Sequence, residues 1–73
     1  MNHYFLVFRY SWASHEDVVR ALIGHFGERG VLVFEDGFVV GTELGEEEMK
    51  RTVMEELDLK YSVREIQKEE KKA

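Results

Sequence analysis

From His3 to Tyr10 nearly every position is apolar or aromatic: His-Tyr-Phe-Leu-Val-Phe-Arg-Tyr. The run has no 3.6-residue period, and its β-branched and aromatic content predicts a first strand. The pattern then changes. Val19, Leu22, Ile23 and Phe26 stand at i, i+3, i+4 and i+7, the stripe of an amphipathic helix. Ser14 precedes it as a natural N-cap, with Asp17 three residues on as a near capping box. Glu16 and Asp17 suit the positive helix end, His25 suits the negative end, and Gly27 suits the exit.

Two more apolar runs follow, Val31–Phe34 and Phe38–Thr42, separated by Asp36-Gly37. That dipeptide predicts a type I′ hairpin turn, because both residues tolerate positive φ. In Leu44-Gly45-Glu46-Glu47-Glu48-Met49, Gly45 is the expected N-cap and Leu44 and Met49 hold the hydrophobic-staple positions, with three glutamates in the first turn. Met49, Val53 and Leu57 form the expected buried stripe of this second helix, and Glu46–Lys50 and Glu47–Arg51 are spaced as ion pairs. Tyr61–Ile66 reads as a last strand and Gln67–Ala73 as a charged, frayed tail. The chain therefore divides into one domain, residues 1–67, and a flexible segment, 68–73.

Strand, helix, strand, strand, helix, strand is the order of a ferredoxin-like α+β sandwich. Right-handed crossovers place strands one and three side by side at the centre. The expected sheet is four-stranded and antiparallel, in the order 4-1-3-2, with two helices on one face. A strand between helices and water should alternate apolar with polar. The first strand does not: Tyr4, Leu6, Phe8 and Tyr10 share one face, Phe5 and Val7 the other, flanked by His3 and Arg9. Val31–Phe34 and Phe38–Val40 are also apolar on both faces. The open face is thus expected to be covered by a second copy or a protein partner, because large exposed apolar patches are unusual on monomers. Which face meets the helices is left open by the sequence, so the candidate interface residues come from both: Tyr4, Phe5, Val7, Phe8, Arg9 and Tyr61.

Composition narrows the functional classes. Seventy-three residues, 44% of them hydrophobic, suffice for one core. A chain this short hides only about 60% of its unfolded surface, so self-association would add stability. There is no cysteine for disulfides or thiolate ligation. No apolar run approaches the roughly 20 residues that span a bilayer. The start lacks a basic segment, so a cytoplasmic protein without membrane contact is expected. The net charge of −5 disfavours a general nucleic-acid binder. The sequence Phe38-Val39-Val40-Gly41-Thr42 lacks the basic residue and spaced aromatics of an RNA-stacking sheet, and Glu35, Asp36 and Glu43 around it would repel phosphate.

No catalytic constellation is evident. His15 and His25 lie ten residues apart on one helix, about 15 Å along its axis, too far to share an ion. The glutamate run is explained by its place at a helix start. Ser11 and Ser14 near His15 lack a third group, and a cap is the simpler role for Ser14. We expect no catalytic residue, metal or cofactor. Glu35, Asp36, Glu43, Glu46 and Glu47 remain a candidate acidic surface, of the kind by which a decoy or inhibitor occupies a basic nucleic-acid site.

With its opening strand His3–Tyr10, its hairpin Val33–Val40 followed by the acidic helix start Leu44–Met49, and Tyr61–Ile66 as closing strand, the chain resembles the small CRISPR spacer-acquisition nuclease family and its SinR-like and virulence-associated relatives. The resemblance spans residues 3–67. It implies two protomers stacked through their open sheet faces, with Lys60–Gln67 and the tail extending the neighbour's sheet edge. It also implies a metal-binding aspartate at the end of the first strand, where this chain reads Arg9-Tyr10-Ser11. A cation cannot ligate a divalent metal. The expectation is a non-catalytic homodimeric interaction module; the alternatives are a metal-dependent nuclease or nucleic-acid binder of that family, and an acidic decoy.

Overall fold

A computed structural model of the chain describes residues 1–69. The elements are β1 (Asn2–Phe8), α1 (His15–Phe26), a 3-10 turn (Glu28–Gly30), β2 (Val31–Phe34), β3 (Gly37–Thr42), α2 (Glu46–Arg51), a wider π-type turn (Thr52–Glu56) and β4 (Val63–Glu69). One antiparallel sheet runs β2-β3-β1-β4, the expected ferredoxin-like order. Alternate residues Tyr4, Leu6 and Phe8 of β1 and Phe38 and Val40 of β3 form one cluster with Val18 and Leu22 of α1 and with Met49 and Val53. The helices therefore cover one face, and the Phe8 and Phe38 rings meet edge-on within that core, 5.6 Å between centroids. Each such side chain contributes about 1.5–3 kcal/mol through burial.

Ser14 caps α1 as a complete capping box: its hydroxyl accepts from the Asp17 N–H (3.1 Å), and the Asp17 carboxylate accepts from the Ser14 N–H (3.2 Å). Gly27, at φ 86°, closes the helix by donating its N–H to the Ile23 carbonyl, 2.9 Å. The buried line of α1 is Val18 and Leu22, whereas Val19, Ile23 and Phe26 are only partly covered. Of the stripe expected from spacing, Leu22 lies in the buried arc and Val19, Ile23 and Phe26 form its partly wet flank.

The second helix tightens the core by a local distortion. The Leu57 N–H reaches the Thr52 carbonyl five residues back (2.9 Å), and the Leu59 N–H reaches Val53 (3.0 Å). Asp58 takes a left-handed conformation, φ 54°, and turns Leu59 inward to 5% exposure. Met49 and Val53 are fully buried, while Leu57 is partly covered. Of the expected α2 pairs, Glu46–Lys50 forms at 3.7 Å; Glu47–Arg51 is not among the ion pairs of the described residues.

Two expectations are corrected. The hairpin closes on the pair Phe34–Gly37, so Glu35 and Asp36 are the central turn residues. Neither they nor Gly37 has positive φ, which excludes the type I′ turn. Gly37 is needed for closeness instead: a Cβ there would lie 2.6 Å from the Leu6 carbonyl oxygen and 2.8 Å from the Phe5 ring. The last strand is also displaced. It runs from Val63 to Glu69, so Gln67, Lys68 and Glu69, read as tail, pair with Phe5, Tyr4 and His3. The remainder of that tail, 70–73, lies outside the described residues. A β-bulge between Val7 and Phe8 leaves Arg64 as the extra residue of β4.

The capping box makes stability pH-dependent. Hydrogen bonds from Ser14 hold the Asp17 carboxyl below its ordinary value, aided by Arg20. A depressed carboxyl pKa stabilises the fold above the unfolded value of about 3.9, and that contribution is lost as pH falls through the lower folded value. The thermal midpoint of the wild type should therefore fall more steeply than that of Asp17→Asn between about pH 5 and pH 2. Parallel slopes in circular-dichroism melts would refute the assignment. Asp58→Gly should stabilise the protein by about 0.5–1 kcal/mol, and Asp58→Val should destabilise it by about 1 kcal/mol or more, because only glycine adopts the left-handed conformation without strain. Urea titrations of both variants check this.

Candidate functional site

The open face is built from every second residue of four strands. Strand register sets Leu32, Val39, Phe5 and Gln67 in one transverse row. Phe34 beside Gly37 and Val7 beside Glu65 make the next, and Gly41, His3 and Glu69 make the row on the other side. Leu32 and Phe34 are 58% and 48% exposed, and Phe5, Val7 and Val39 are half-buried. These five form a continuous apolar strip across β2, β3 and β1. Its β4 border is acidic, with Glu65 and Glu69 on either side of Gln67.

Two shallow depressions flank the strip, each of about 380 Å³. His3, Phe26, Arg29, Leu32 and Val39 help to line the first; Phe5, Val7, Asp36, Arg64 and Glu65 line the second. Arg64 reaches this second depression from the bulge, and Phe5 lies across Gly37, where no other residue would leave it room. The arrangement can bury apolar surface against another body. It places no nucleophile beside a base.

Of the residues proposed from sequence for an interface, only Phe5 and Val7 lie on this face. Tyr4 and Phe8 are corrected: they point into the core at 0% and 7% exposure, because the helices cover their side of β1. The Tyr4 hydroxyl donates to the Leu44 carbonyl (2.6 Å), which also accepts from the Asn2 amide (3.0 Å), tying β1 to the approach of α2. Arg9 and Tyr61 sit beyond the sheet's end instead. The Arg9 N–H donates to the Ser62 carbonyl, and Tyr61 packs against exposed Trp12, 6.1 Å between ring centroids, with the Lys60 ammonium 5.4 Å from its ring. Sequence reasoning left out Leu32, Phe34 and Val39 as site residues, although the unbroken apolar run Val31–Phe34 was the signal for two of them.

The acidic surface is corrected too, because it is not one surface. Glu35 and Asp36 precede β3 and Glu43 follows it, so roughly 20 Å of strand separates them. Glu43 lies at the far end beside the N-terminal amine, 3.9 Å away, with Glu46 and Glu47 in the first turn of α2. His15 stacks on Phe38 (5.5 Å), and His25 lies 4.0 Å from Glu56. Among the described residues, no three metal-ligating side chains converge as an ion would require, and no helix is long and apolar enough to cross a membrane.

Comparison of the chain with protein-family models, curated proteins and solved structures finds no match in any of the three. The interpretation of the open face therefore rests on its own geometry.

Burial, then the nearby Glu46 and Glu48 charges, push the Tyr4 phenol above its ordinary value. A raised pKa stabilises the fold below the unfolded value of about 10, and that contribution is lost as pH rises through the folded one. Tyr4→Phe should cost about 1 kcal/mol at neutral pH, since Asn2 still satisfies the Leu44 carbonyl. It should also flatten the alkaline fall in stability above about pH 10. Denaturant titrations at neutral and alkaline pH test both effects.

Proposed function

We propose that this chain is a non-catalytic homodimeric interaction module whose protomers associate through the open sheet face. The observation that carries the proposal is the strip Phe5, Val7, Leu32, Phe34 and Val39, continuous over three strands and uncovered. A second copy suits it for an electrostatic reason. Within the sheet the acidic residues border the strip on its β4 side, so a twofold axis along the strands and over β3 lays β1 of one protomer over β2 of the other. The two acidic rows then fall on opposite flanks, and apolar surface meets apolar surface. A nucleic-acid backbone would meet Glu65, Glu69 and Asp36 around the same strip, with Arg64 as the basic residue among them. Arg9, in place of the aspartate that the resembling nucleases use for metal, favours binding over cleavage.

Sedimentation velocity should show a dimer forming with concentration, and a monomer at about 100 μM would rule the proposal out. Phe5→Glu and Val39→Lys should weaken the dimer by about tenfold or more while leaving far-ultraviolet dichroism native. Phe8→Ala should instead lower protomer stability by about 3–5 kcal/mol, because Phe8 belongs to the core.

A further inference from the structure

The two edges of the sheet are built differently. β4 carries Arg64, Glu65, Lys68 and Glu69, charges on both faces of the kind that discourage strand addition. The other edge, β2, is Val31-Leu32-Val33-Phe34, without a charge or a proline. Leu32 and Phe34 project from the open face and Val33 from the helix face, yet Val33 is also 48% exposed. A body laid on the open face would cover Leu32 and Phe34 and leave Val33 wet. A strand added at the edge covers all three.

We infer that β2 is a pairing edge for β2 of a second copy, joining two four-stranded sheets into one of eight strands. This contact is separate from face stacking and does not rest on it. The closing pair Phe34–Gly37 turns the N–H and C=O groups of Phe34 and Leu32 toward β3. Those of Val31 and Val33 consequently point outward. With a twofold axis at Leu32, each Val31 stands opposite Val33 of the second copy, and the two pairs exchange four main-chain hydrogen bonds. Leu32 meets its own counterpart, and Phe34 meets Gly30. Just beyond the strand ends, Arg29 of the 3-10 turn precedes Val31 and Glu35 of the hairpin turn follows Phe34, so antiparallel pairing brings each Arg29 to the same end of the joint as Glu35 of the second copy. Both are exposed, and neither has an ion-pair partner among the described residues. A neutral apolar centre is thus flanked on each side by opposite charges. Moving the axis to Val33 would slide the second copy by two residues, about 7 Å, and draw each Arg29 away from Glu35, so the charges favour the register centred on Leu32.

The chain has no cysteine, so Leu32→Cys provides a single probe. Directly opposed residues of a non-hydrogen-bonded pair have Cα atoms about 4.5 Å apart, within disulfide range. Mild oxidation should give a covalent dimer on non-reducing electrophoresis. Adding Val33→Pro removes an outward N–H without touching the β2–β3 ladder, and should abolish the cross-link. Adding Phe5→Gln should leave it intact. In the cysteine-free chain, Arg29→Glu should weaken edge pairing by about tenfold, and Arg29→Glu with Glu35→Arg should restore it.

Failure of Leu32→Cys to cross-link, or cross-linking that persists with Val33→Pro, overturns the inference. Dichroism melts check that the proline variant folds; if it does not, the charge exchange decides, and lack of restoration overturns the register. Loss of the cross-link with Phe5→Gln would assign it to the open face and also overturn edge pairing. Retention of the cross-link in a chain whose dimerisation is insensitive to Phe5 and Val39 would support the edge and remove face stacking.

Discussion

β1 is hydrogen-bonded to neighbours on both sides and is apolar on both of its faces, and the other elements are placed by what that strand requires. Its Tyr4, Leu6 and Phe8 side demands a cover, which the two helices supply through Val18, Leu22, Met49 and Val53. Its ladders to β3 and β4 leave no free main-chain groups along its centre. The Phe5 and Val7 side is what remains, and the described residues supply no third layer to cover it. Phe5 is partly accommodated by Gly37, where absence of a side chain lets the ring approach β3 closely. A strand buried from one side only is stable in a domain this small, but it leaves an apolar strip facing outward.

The polar groups that could have become a site are instead engaged in shaping the fold. Ser14 and Asp17 satisfy each other's backbone donors at the start of α1. Tyr4 and Asn2 converge on one carbonyl, Leu44, and so fix where the chain leaves the sheet for α2. Glu46, Glu47 and Glu48 stand at the positive end of that helix, where their charge is favourable. These groups shape the fold, so the surface left for the proposed association is mainly apolar.

The two proposed contacts use different properties of the same sheet. Face stacking uses the side chains that alternate onto the uncovered side. Edge pairing uses main-chain groups and a strand too short for α1 to shield completely. Both converge on β2, where Leu32 and Phe34 contribute to each. A protomer offering two such surfaces can form more than a closed pair, and the charged β4 edge limits growth in the other lateral direction.

Local chemistry was legible from the sequence wherever neighbouring residues alone decide it: the Ser14 capping box, the start of α2 after Gly45, the end of α1 at Gly27, and the order of elements that gives a 4-1-3-2 sheet. The tertiary structure decided what depends on contacts between distant residues. It turned Tyr4 and Phe8 inward and Phe5 and Val7 outward, a choice that a strand apolar on both faces cannot announce. It gave Gly37 a packing role against Phe5 and Leu6 where the dipeptide suggested a turn role. It carried β4 through Gln67–Glu69, because pairing with His3, Tyr4 and Phe5 outweighed the segment's polar composition. It also separated Glu35 and Asp36 from Glu43 by the length of β3. Periodicity and capping are properties of sequence neighbours, whereas the inward or outward direction of a doubly apolar strand is set by the layer that packs against it.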